Sequence, residues 1–70
     1  MISIETIQQR LADEISNSEL TQTQIAKLVG VNQAQISRYL SHKKLPSVET
    51  LANLCKVLNI DANYILGISD

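Results

Sequence analysis

Seventy residues with a formal net charge of −1 and 44% apolar content make one domain, 1–70, too short for a large core and too apolar for disorder. No apolar run reaches the length of a membrane span, and no signal-peptide pattern opens the chain. A single cysteine, Cys55, and a single histidine, His42, exclude an internal disulfide, argue against a zinc site made of protein ligands alone, and fit a reducing, cytoplasmic setting.

Helical periodicity runs through the chain, and no segment has the strict alternation of a strand, so the expected class is all-α with five helices. Ser3 is placed to cap the first helix, with Glu5 in its first turn. Ile4, Ile7, Leu11 and Ile15 recur at steps of three and four and form its apolar stripe, with Gln9, Arg10 and Asp13 outside. Ser16, Asn17 and Ser18 end it. Thr21 caps a second helix running to about Val29, before Gly30. Asn32 caps a third, from Gln33 to about Ser41. A basic connection then leads to Pro46, and Ser47 caps a fourth helix whose apolar side is Val48, Leu51, Ala52, Leu54, Cys55 and Leu58. Asp61 caps a last short helix, Ala62 to Leu66, closed by Gly67. His42 and Asn59 each sit one residue past a periodic stretch, where a terminator adopts positive φ, and both are expected to do so.

The stretch from Gln22 to Tyr39 has the pattern of two short helices crossing at a steep angle. Ala26 is small where the backbones must approach, and Gly30, four residues later, accepts the left-handed conformation of a sharp turn. Ile25, Val29, Val31 and Ile36 supply the apolar contacts. In DNA-binding proteins of this pattern the second helix of the pair enters the major groove. The charge layout agrees with that role: from Leu20 to Val48 there is no Asp or Glu, while Lys27, Arg38, His42, Lys43 and Lys44 all lie there.

At about 100° per residue, Ile36, Tyr39 and Leu40 fall on one side of the third helix, and Gln33, Ala34, Ser37, Arg38 and Ser41 on the other. The second group has no acid. Its chemistry suits base edges: Arg for guanine O6 and N7, Gln for adenine, Ala for a thymine methyl. The bland alternative is an ordinary solvated face, but such faces usually carry Glu and Lys.

Leu20-Thr21-Gln22, Ile25-Ala26, Val29-Gly30-Val31, Ile36-Ser37-Arg38-Tyr39, Pro46-Ser47, Thr50-Leu51 and Leu54 together resemble the phage-repressor (Cro-like, Xre-type) helix-turn-helix family, over roughly Leu20 to Gly67. The resemblance implies a compact five-helix DNA-binding domain that acts as a homodimer on a palindromic operator in double-stranded DNA. It implies that Gln33, Ala34, Ser37 and Arg38 face bases. It places Asn32, Ser41, Lys43 and Lys44 near the DNA backbone, with Gln22 touching a phosphate and bracing Gln33. Two positions depart from the family pattern: Leu40 stands where many members have an acid, and His42 where many have Gly.

Three further features have two readings each. His42 fits a surface helix terminus better than a pH switch or a phosphate contact. Cys55, on the apolar side of the fourth helix, fits an inert buried thiol better than a redox sensor. Tyr64, Ile65 and Ile68 either form a dimer surface or close the bottom of the core.

The leading function is a sequence-specific transcription regulator, a repressor, reading the major groove with the third helix. The alternative is a protein-interaction module, such as an antitoxin with autoregulatory DNA binding. The short tail after Gly67 argues against that if the chain is complete. No nucleophile–base pair, carboxylate pair, metal cluster or Gly-rich phosphate loop is apparent, so neither an enzyme nor a cofactor is expected.

Overall fold

Polar residues start every helix by the same means. The structure, a computed structural model, describes residues 1–68; Ser69 and Asp70, the end of the expected domain, lie outside it. In order come α1 (Ile4–Ser16), α2 (Gln22–Val29), α3 (Gln33–Leu40), α4 (Val48–Leu58) and α5 (Ala62–Ile65). Ser3, Thr21, Asn32, Ser47 and Asp61 are the N-caps, each accepting a backbone N–H of the first turn. At Thr21 the cap is reciprocal: Gln24 N–H donates to Thr21 Oγ1 at 3.1 Å, and Thr21 N–H donates to Gln24 Oε1 at 2.8 Å. The third and fifth helices end slightly earlier than the sequence predicts, with Ser41 and Leu66 as C-caps.

Four helices end in a left-handed residue: Gly30 (φ 88°), His42 (φ 62°), Asn59 (φ 56°) and Gly67 (φ 70°). After each, the next N–H reaches back five residues: Val31 to Ala26, Lys43 to Arg38, Ile60 to Cys55 and Ile68 to Asn63, at 2.9–3.0 Å. Both non-glycine terminators are the expected ones. His42→Gly and Asn59→Gly should therefore leave the melting temperature unchanged or raised. Relief of left-handed strain, ~1–2 kcal/mol, is offset by the extra freedom of Gly in the unfolded chain, ~0.4–1 kcal/mol. Valine at either site should lower it, being β-branched; melts in which Val matched the parent at both sites would contradict the shared mechanism.

Leu11, Ile15, Ile25, Ala26, Val29, Ile36, Tyr39, Leu54 and Ile65 form the core, and Leu40, Leu51, Leu58 and Ile60 pack partly buried against it. The α3 helix lies against both α2 and α1, α2 against α4, and α5 against α1. Leu40, the departure from an acidic position, is thus part of the α3 packing surface. No helix among the described residues is long and apolar enough to cross a membrane.

Several apolar expectations are corrected. Val48 is 86% exposed and Ala52 is exposed, while Leu54 and Cys55 of the same helix are buried and Leu51, Val57 and Leu58 half-buried. Ala52 lies about 60° beyond Cys55 and points outward, whereas Val48, about 20° from Cys55, stands at the edge of the buried side in the first turn of the helix. Ile4 is in phase with Ile7, Leu11 and Ile15 but 57% exposed. Arg10 is not simply external: its guanidinium lies 4.5 Å from the centroid of the Tyr64 ring, and its Nη1 donates to the Tyr64 carbonyl. At the bottom, Ile65 is fully buried and closes the core, while Tyr64 and Ile68 stay exposed. Gly67 sits under Ile2: a Cβ there would lie 2.9 Å from the Ile2 Cβ. At Gly30 there is open space, so only φ restricts that position.

Candidate nucleic-acid interface

Burial of Ile36 and Tyr39 fixes which way α3 faces. The opposite side carries Ala34, Ser37, Arg38 and Ser41, all exposed, as helix geometry predicts, and Gln33, about 60° from Ile36, is exposed at the start of the helix. Burial pushes the Tyr39 phenol pKa above its ordinary value, so this ring is a neutral packing element.

The helix start is held from α2. Gln33 Nε2 donates to Gln22 Oε1 at 2.9 Å, which makes the expected brace. The bond also sorts donors from acceptors. Gln22 keeps its amide N–H groups for an acceptor outside the protein, and Gln33 keeps its Oε1 and one N–H. That pair on Gln33 matches the two-bond pattern of adenine in the major groove. Asn32 is less free, because its Oδ1 accepts the Gln35 N–H at 3.0 Å, leaving only its amide N–H groups. Ser41 Oγ donates to the Arg38 carbonyl at 3.2 Å, so its hydroxyl serves the helix end first.

Arg38 is exposed, and its Nη1 lies 3.5 Å from Gln35 Oε1, the outer limit of a hydrogen bond. Its donors are essentially uncommitted. Lys43 and Lys44 are exposed on the connection after α3, and Lys27 is exposed on α2. The acid-free stretch therefore presents its cations to solvent alongside the outward side of α3.

Sequence reasoning missed two residues here. Gln35, half-buried, approaches Arg38 from one turn earlier; the three-residue spacing is a readable signal for that pair. Gln8 on α1 donates through Nε2 to the His42 carbonyl at 3.1 Å. That contact spans 34 positions and has no local signature. Cys55 is buried, and both burial and, to a lesser degree, the Asp61 carboxylate push its thiol pKa up, which keeps it protonated and a poor nucleophile.

Residues 8–65 match the helix-turn-helix family. Over 62 residues the sequence is 29% identical to YobD of Bacillus subtilis (strain 168), an uncharacterized HTH-type transcriptional regulator. The match covers 89% of this chain and 55% of that protein, so the chain spans about half the length of the curated relative. No solved structure matches. A fifty-eight-residue match across the same helices that build the braced, acid-free face settles the family: the chain belongs to the Cro-like, Xre-type helix-turn-helix DNA-binding proteins.

Proposed function

We propose that the protein is a sequence-specific transcription regulator, a cytoplasmic repressor that reads the major groove of double-stranded DNA with α3. The observation that carries this is the outward side of α3: exposed Gln33, Ala34, Ser37 and Arg38, free of acids, with Gln33 held by Gln22. In this reading those four residues face bases, and Gln22, Asn32, Ser41, Lys43 and Lys44 meet the phosphate backbone. Repression follows most simply from such a domain, since occupying a site is enough to exclude other proteins from it.

The binding unit is a homodimer on a palindromic operator. Eight residues of α3 span about 12 Å at ~1.5 Å per residue, against ~34 Å for one DNA turn, so one copy reads only a few base pairs. Apolar surface is available beside the connection that follows α3: Leu45, Pro46, Val48, Leu51 and Leu66 line one groove, with Val48 86% exposed. With Ile65 consumed by the core, this groove and Ile68 replace the full α5 face as the surface a second copy would cover.

Selection of bound duplexes from a random library tests the reading. The expected product is a two-fold symmetric site with half-sites one DNA turn apart, bound more weakly as salt rises. No enriched sequence would end it; an antitoxin-type module with autoregulatory DNA binding would also enrich a site and is told apart by capture of a protein partner. An asymmetric single half-site would retain the groove reading and remove the dimer. Lys43→Ala and Lys44→Ala should each weaken all sequences alike and flatten the slope of affinity against salt by about one unit. A changed base preference with an unchanged slope would move them off the backbone.

A further inference from the structure

We propose that Gln8, on α1 and outside the helix-turn-helix, is a positioning residue for DNA binding: it anchors the turn that carries Lys43 and Lys44. The inference rests on reading those lysines as phosphate contacts.

The chain after α3 closes its helix with two N–H groups. His42 N–H donates to the Tyr39 carbonyl at 3.3 Å, and Lys43 N–H donates to the Arg38 carbonyl at 3.0 Å. With φ at 62°, His42 turns the backbone out of the helical path. Its carbonyl is the acceptor that Gln8 Nε2 takes, at 3.1 Å. Two residues past the lysine pair, Pro46 is half-buried, as is Leu45 before it. The exposed lysines are therefore strung between two fixed points, one held by α1 and one by the apolar groove. Long flexible side chains bind a phosphate best when the backbone beneath them needs no further ordering. Removing the Gln8 donor releases one of the two fixed points and shifts that ordering to the moment of binding.

Gln8 is half-buried on α1, outside the helix-turn-helix, and its hydrogen bond is to backbone, not to a side chain assigned to DNA. Its loss should thus act on affinity without acting on base choice. The size should be that of one hydrogen bond, about two- to tenfold in affinity.

The experiment is a cycle of variants measured on the selected operator and on an unrelated duplex. Gln8→Met removes the donor and keeps the length and helix propensity; Gln8→Ala repeats the test should Met repack. Each is made in the parent and in the Lys43→Ala/Lys44→Ala background, with melting temperature and backbone 15N relaxation recorded. The expected result has three parts. Both duplexes lose affinity by the same two- to tenfold factor in the parent background. The loss shrinks to less than about twofold when the lysines are absent, since coupled residues are non-additive. Backbone motion rises at Lys43 and Lys44 and not at Ser37. A purely structural role for Gln8 would instead lower stability and give the same loss in both backgrounds, and that result overturns the proposal. So does parental affinity in both Gln8 variants. If the double lysine variant itself binds like the parent, the phosphate reading of the lysines falls and takes the anchor with it. If the lysines matter and Gln8 does not, only the anchor falls.

Discussion

Ile36→Ala should remove about 2–5 kcal/mol of unfolding free energy. Ile36 is completely buried on the back of that helix, inside a core that also holds Leu11, Ile25, Leu54 and Ile65 at or below 1% exposure. Domains carry only ~0.05–0.15 kcal/mol of net stability per residue, so a 70-residue chain has little to spare, and a substantial fraction should be unfolded at physiological temperature. The graded control is Ile36→Val, which deletes one methylene and should cost about 0.5–1.5 kcal/mol. Urea unfolding followed by far-ultraviolet circular dichroism gives both values. A loss below about 1 kcal/mol for the alanine variant would mean that α1, α2 and α3 collapse around the gap, and that α3 is not rigidly seated. Leu54→Ala, equally buried but on α4, separates stability from placement. Both variants should melt early, yet only Ile36→Ala should still bind operator poorly once temperature is lowered enough for both to be folded.

The parts of the molecule that are legible in sequence are those decided within one turn of chain. Ser3, Thr21, Asn32, Ser47 and Asp61 cap as expected because a cap needs only its own side chain and an N–H two or three residues on. His42 and Asn59 have positive φ because the end of a periodic stretch demands a terminator wherever it falls. The outward side of α3 is legible because the helix period alone turns Ala34, Ser37, Arg38 and Ser41 about 100–160° away from Ile36; Gln33, only about 60° from Ile36, is exposed as the first residue of the helix. What fails is whatever depends on a neighbour's position. Val48 and Ile4 are apolar and lie on or at the edge of the apolar side of their helices, yet both stay largely exposed. Arg10 belongs on the solvent side of α1 by pattern, yet Tyr64, far along the chain, supplies a ring for it to cover. Gln8 is indistinguishable from any surface glutamine until α1 is laid beside the end of α3.

Arg38→Ala should lose about 1–3 kcal/mol of binding to the preferred operator and relax selectivity at one position in each half-site. Arg38 stands on the outward side of α3, one helical turn beyond Ala34, and among the described residues its guanidinium has no hydrogen-bond partner closer than Gln35 Oε1 at 3.5 Å. A planar fork of donors on the outward side of α3 would be matched by the O6 and N7 acceptors of guanine, which accept two parallel bonds. Charge alone does not reproduce that match. Arg38→Lys keeps the cation and hence most of the attraction to phosphate, but a lysine presents a single ammonium in place of the fork. The lysine variant should therefore bind unrelated duplexes like the parent while discriminating poorly at the guanine position. Affinity measured across a set of single-base operator variants, at two salt concentrations, distinguishes the two possible roles. If Arg38→Ala weakened every sequence by one common factor and reduced the salt slope, Arg38 would be a backbone contact, and base selection would rest on Gln33, Ala34 and Ser37 alone.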